Sequence, residues 1–321
     1  MSAAGDALVE AALAHEKHAV SRLITTFEDQ RPAAYAERAR LMTSLRAQPK
    51  RRHASFIGIT GTPGSGKSTL LGRLALRLIE RQAELTIAAL AVDPSSRISG
   101  GALLGDRTRL RFPPHEKRLF FRSQASATEL GGLGPSTFQV CRPLACLYDF
   151  VFVETVGIGQ SETDIRQLAD RVYLVLQPLA GDEVQFLKAG IMEVPDAFIL
   201  NKCDEPSAER SYHQLRGSLW LARPFDAQPV EIFRTSARTG DGIDALAGAL
   251  LALRAQQSPR DFAENEPRFF ARWVQEEWGR AGLRFLDEKL GGAAAFVRAR
   301  GYDQAQLDFS ARADAHWTRD A

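Results

Sequence analysis

Between residue 55 and about residue 253, short apolar runs alternate with stretches of helical periodicity. The apolar runs predict strands over 55–60, 85–92, 118–122, 149–154, 171–177, 196–200 and 230–235. Several show no polar alternation, as in Leu85-Thr86-Ile87-Ala88-Ala89-Leu90-Ala91-Val92 and Arg171-Val172-Tyr173-Leu174-Val175-Leu176. A strand wetted on one face alternates, whereas a strand covered on both faces has no reason to. The expected fold class is therefore α/β, a mostly parallel sheet between helix layers. After the first strand, Leu70, Leu71, Leu74 and Leu78 recur at helical spacing.

The flanks read as helical. Val9, Leu13, Val20, Leu23, Ile24 and Phe27 lay one stripe over 7–28, broken by Gln30-Arg31-Pro32. Tyr35, Leu41, Met42 and Leu45 predict a second helix over 33–46, closed by Pro49. Gln256-Gln257-Ser258-Pro259 reads as a linker. Beyond it, residues 267–290 carry Phe269, Phe270, Trp273, Val274, Trp278, Leu283, Phe285, Leu286 and Leu290. So much aromatic surface either packs on the parent domain or joins subunits, and an interface is the expectation. The organisation expected is a helical arm over 1–50, an α/β nucleotide-binding domain over 51–255 and a helical dimerisation arm over 256–321.

Composition narrows the partners. Of 321 residues, 45% are hydrophobic and 25% charged, average for a globular protein, and the net charge is +2. That balance gives no argument for nucleic acid or an acidic surface, and the basic run Lys50-Arg51-Arg52-His53 reads as a solvated lead-in to the first strand. No apolar run approaches the ~20 residues that span a bilayer. The first residues include Asp6 and Glu10 and no secretory-signal core, so a cytoplasmic location and no membrane partner are expected. Cys141, Cys146 and Cys203 form no C-x-x-C pair, which argues against a disulfide framework or structural zinc.

The chemistry lies at strand ends. Gly61-Thr62-Pro63-Gly64-Ser65-Gly66-Lys67-Ser68, followed by Thr69, is a phosphate-binding loop between a predicted strand and a predicted helix. Its backbone N–H groups can curl around an anion at a helix N-terminus. Lys67 is placed for the terminal phosphates and the Ser68 hydroxyl for magnesium. Asn201-Lys202-Cys203-Asp204 closes the run at 196–200. Guanine presents N1–H and an N2 amine on one edge, and the Asp204 carboxylate can accept both. Adenine would set an acceptor against a buried charge. Asn201 can tie this loop to the phosphate loop, and the Lys202 stem can cover a face of the base. Ser236-Ala237-Arg238 follows the last predicted strand, where a backbone N–H can reach guanine O6. Phe150-Val151-Phe152-Val153-Glu154 ends in an acid that can hold magnesium, three residues before Gly157 and its γ-phosphate-facing N–H. Asp93 and Asp106 are further candidates to ligate magnesium or position water. GTP or GDP with Mg2+ is the expected ligand set, bound at the carboxyl ends of the strands.

Taken together, Gly61 to Thr69, Val92-Asp93-Pro94-Ser95-Ser96, Gly100 to Thr108, Val153-Glu154-Thr155-Val156-Gly157-Ile158-Gly159-Gln160-Ser161-Glu162 and Asn201 to Asp204 resemble the MeaB/ArgK family. The resemblance runs over roughly residues 20–255. It implies a homodimeric GTPase chaperone that binds an adenosylcobalamin-dependent acyl-CoA mutase, gates cofactor transfer from an adenosyltransferase, and protects or rescues the mutase. Gly181 to Lys188 matches the family's extra switch loop, which carries Asp182 and Lys188 over as active-site elements. No obvious water-orienting glutamine follows Gly157, although Gln160 is near, so hydrolysis is expected to be slow until a partner orders the switch loops. Three other readings stay open: a metallochaperone GTPase, a kinase of amino-acid transport binding proteins, and a non-hydrolysing scaffold.

Overall fold

The computed structural model describes residues 3–48, 54–93, 110, 112–125, 133–155, 161–178, 195–222, 230–256 and 262–318. In chain order the first elements are α1 (Ala3–Leu13), α2 (Lys17–Glu28), α3 (Pro32–Arg46), β1 (Ser55–Gly61), α4 (Lys67–Arg81), β2 (Ile87–Asp93) and β3 (Leu119–Ala125). There follow α5 (Pro135–Leu147), β4 (Phe150–Thr155), α6 (Ser161–Leu168), β5 (Arg171–Leu176), β6 (Ala197–Leu200) and α7 (Ala208–Ala222). The last are β7 (Glu231–Arg234), α8 (Ile243–Gln256), α9 (Glu266–Leu290), α10 (Gly292–Arg300) and α11 (Tyr302–Trp317). They form two compact units, one of Ala54–Leu133 with Tyr148–Pro259, the other of Met1–His53, Gly134–Leu147 and Arg260–Ala321.

The first unit holds the seven strands in the order β3-β2-β4-β1-β5-β6-β7, every neighbouring pair parallel. All seven runs read as strands are strands, each within one to three residues of its expected ends. The continuous apolar runs have the cause assigned to them. On β5, Tyr173 and Val175 join one core, with Ile57, Ile59, Leu70, Leu74, Phe152 and Leu246. Leu174 and Leu176 join the opposite one, with Phe198, Leu200, Leu215 and Leu219. Each such side chain contributes about 1.5–3 kcal/mol by leaving water, so both faces stabilise the sheet. β1 lies centrally, with Ile57 beside both Phe152 and Arg171, so its carboxyl end opens between β4 and β5.

The second unit gathers α1–α3 from the start of the chain, α9–α11 from its end, and α5 from between two strands. The terminal helical segments, read separately in the sequence, pack in one body, with α11 against α3 and α5 against α2, α3 and α9. Much of the apolar content of α9 faces inward: Phe269, Phe270, Trp273, Val274 and Leu286 are buried, and the Phe138 and Phe269 rings stack 4.3 Å apart. Packing within the unit, rather than an open interface, claims these five. The helix expected over 7–28 is two. A Schellman turn ends α1, with Glu16 N–H donating to Ala11 O and His15 N–H to Ala12 O while His15 adopts φ 56°. A left-handed histidine costs ~1–2 kcal/mol, which stripe counting along the sequence does not register. No described helix is long and apolar enough to cross a membrane.

Candidate functional site

At the end of β1 the chain turns tightly. Gly61 has φ 143°, and a Cβ there would lie 2.1 Å from Val175 O of β5, so only glycine fits. Gly66 has φ 84° and is the N-cap of α4; a Cβ on it would meet Asn201 Nδ2 at 2.7 Å. The first-turn N–H groups of α4 have no intrahelical acceptor and carry the positive end of the helix dipole. Lys67 is buried, and its ammonium donates to Gly61 O at 2.8 Å and Thr62 O at 3.0 Å, across the mouth of the loop. The Ser65 hydroxyl braces the turn by donating to Thr62 O at 2.8 Å.

Ser68, on the first turn of α4, donates its hydroxyl to Glu154 Oε1 at 2.7 Å, joining α4 to the end of β4. Glu154 is 5% exposed. A hydroxyl and a carboxylate side by side form an all-oxygen donor set, which suits a hard cation such as magnesium. Asp93 ends β2 next to this place, since Val92 is in register with Thr155.

The base-reading loops sit at the same sheet edge. Asn201, 1% exposed, donates from Nδ2 to Ser65 O at 2.8 Å and so ties the N-K-x-D loop to the phosphate loop. Its Oδ1 accepts from Ala237 N–H at 3.1 Å and Thr235 Oγ1 at 3.3 Å, tying in the loop after β7 as well. One amide thus holds three strand ends together. Lys202 stands at φ 59° and donates to Gln177 Oε1 at 2.7 Å. Asp204 accepts the Ser236 hydroxyl on Oδ1 at 2.5 Å and faces Arg238 Nη2 from Oδ2 at 2.5 Å. The Ser236 hydrogen bond, with the Arg238 charge beside it, holds the Asp204 carboxyl below the usual carboxylate range despite partial burial. The neighbouring Cys203 thiol is pushed up, chiefly by burial.

The structure therefore brings together Gly61 to Thr69, Glu154, Asn201, Lys202, Asp204 and Ser236 to Arg238 at one edge of the sheet. Asp106, Gly157, Asp182 and Lys188 lie outside the described residues. Sequence reading missed Gln177 and Thr235, which position Lys202 and Asn201. Both are polar residues at or just beyond the end of an apolar run, and that position was the available signal.

Three comparisons bear on this geometry. The sequence profile of the family described as methylmalonyl Co-A mutase-associated GTPase MeaB matches residues 20–270. A protein of Pyrococcus abyssi named as a GTPase is 42% identical over 217 residues, which are 67% of this chain and 64% of that one. The methylmalonic aciduria type A homolog, mitochondrial, of Caenorhabditis briggsae is 30% identical over 247 residues, covering 72% of this chain and 59% of that one. This chain thus spans less than two thirds of the length of either relative. Among solved structures, that of a LAO/AO transport system kinase superposes with a TM-score of 0.62 at 22% identity, covering 98% of this chain and 99% of that one. That likeness shows the fold.

Proposed function

Because this chain belongs to the MeaB family of GTPases, we propose that it is a GTP-hydrolysing chaperone of an adenosylcobalamin-dependent acyl-CoA mutase. The observation that carries the guanine part is the Asn201 amide, which joins the phosphate loop to both base-reading loops. The mutase part is supported by the family description and by the family resemblance of the switch-loop sequence Gly181 to Lys188.

In this reading the N–H groups from Gly64 to Thr69 wrap the β- and γ-phosphates. Lys67 exchanges the two loop carbonyls for phosphate oxygens, so its charge is pre-positioned and only its acceptors change. Asp204 accepts guanine N1–H and N2–H, a backbone N–H of the Ser236-Ala237-Arg238 turn meets O6, and the Lys202 stem covers one face. Ser68 and Glu154 would hold magnesium, with Asp93 and Asp106 as further oxygen donors. Bound there, magnesium would neutralise charge developing on the transferred phosphoryl group. Gly157 N–H reports the γ-phosphate, and Asp182 and Lys188 act from the switch loop when a client protein engages it. The same reading makes the working form a homodimer and an adenosyltransferase the source of the cofactor.

The test is co-purification with candidate acyl-CoA mutases in GDP and in a non-hydrolysable GTP analogue, with GTP turnover followed in parallel. Expected are nucleotide-dependent complex formation with one mutase and faster hydrolysis in its presence. Rapid turnover without a mutase, together with no complex in either nucleotide, would overturn the chaperone reading and leave the GTPase intact.

A further inference from the structure

Both oxygens of the base-reading carboxylate are engaged within the chain. Ser236 holds Oδ1, and the Arg238 guanidinium lies on Oδ2 at 2.5 Å. The two partners differ in kind. The Ser236 hydroxyl is buried and also accepts Thr239 N–H at 3.1 Å, so it belongs to the loop. The Arg238 side chain is 78% exposed, and among the described residues its ion-pair partner is Asp204. Its chemistry is pointed. The N1–C2–N2 edge of guanine is itself a guanidine-like array of N–H donors, and an arginine head presents the same array to a carboxylate. We propose that Arg238 is a built-in competitor for guanine, holding Oδ2 of Asp204 in the nucleotide-free protein and leaving it when the base arrives.

This deepens the guanine reading of Asp204 and rests on it. The competitor adds a cost to binding but none to the bound state. It lowers the affinity for GTP and GDP by one common factor and slows productive association, leaving dissociation alone. An exposed ion pair is weak, so the factor is small, roughly two- to five-fold. It also keeps Asp204 ionised and paired in the empty protein, sparing a half-buried charge from standing alone. Salt screens an exposed pair, so the handicap shrinks as ionic strength rises.

Stopped-flow binding of fluorescent GDP and GTP to full-length wild type, Arg238→Ala and Arg238→Lys tests it. In Arg238→Ala both association rates should rise roughly two- to five-fold, with unchanged dissociation rates and an unchanged GTP/GDP ratio. Arg238→Lys, which keeps the charge but not the planar array, should fall between. The gain should fade in high salt. Slower association or faster dissociation in Arg238→Ala would mean that Arg238 contacts the bound base, and unaltered rates would mean that the pair is idle; either overturns the proposal while the guanine reading survives. A wild type that binds neither nucleotide overturns both.

Discussion

Asn201 Nδ2 lies 2.8 Å from Ser65 O, a bond between residues 136 positions apart. It is made where Gly66 leaves no room for a Cβ. The base-reading loop and the phosphate loop therefore share one fixed relative position, set by a side chain that cannot be replaced by a smaller one without leaving buried groups unpaired.

Asn201→Ala removes acceptors and donors from Ser65 O, Ala237 N–H and Thr235 Oγ1 at once. Each buried group left unsatisfied costs about 1–3 kcal/mol. Titration calorimetry should show GTP affinity lowered at least tenfold, and thermal unfolding should move down by several degrees. Unchanged affinity would mean that the loops keep their places without the amide.

Glu154→Gln keeps the shape beside Ser68 and removes the charge. A neutral amide is a poorer ligand for a divalent cation than a carboxylate. The magnesium concentration for half-maximal GTP hydrolysis should rise at least tenfold in this variant, while binding of GDP without magnesium stays close to wild type. Equal magnesium demand in the two proteins would take Glu154 out of the metal site.

The pH dependence follows from Asp204. Its folded carboxyl titrates below the ordinary aspartate range, first because Ser236 donates to it and then because of Arg238. A depressed acid stabilises the folded protein above its unfolded pKa, and that contribution is lost as pH falls through the folded value. Guanine binding should be flat from neutral pH down to about 5 and fail only in more acid solution. In Ser236→Ala the main lowering cause is gone, so the acid limb should move to higher pH. Binding measured from pH 3.5 to 7 checks this, and coincident profiles would contradict it.

In the helical unit, Asp303 is 3% exposed and its carboxylate faces Arg142 at 2.7 Å and Arg38 at 3.5 Å. Both arginines are buried. Asp303→Ala leaves two cations without their shared counter-charge, a change of the kind that costs about 3–5 kcal/mol. Urea unfolding should show a midpoint lowered accordingly. A loss under 1 kcal/mol would mean that Glu266, 3.3 Å from Arg142, takes over the compensation.

The sequence by itself determined whatever is local along the chain. Several apolar runs without alternation read as strands covered on both sides, and the phosphate loop, N-K-x-D and Ser-Ala-Arg are each contiguous and each end a predicted strand. The tertiary structure decided what depends on which distant groups meet. Strand order places Glu154 beside Ser68, 86 residues away, and Arg238 over Asp204, whose reading edge the motif alone leaves open. It also drew α5 out of the strand-helix alternation into the helical unit, where Arg142 finds Asp303 and Phe138 stacks on Phe269. Periodicity records which face of an element avoids water, because that preference belongs to each residue. It does not record which partner covers that face or pairs a buried charge, because those energies exist only between residues that the fold has already brought together.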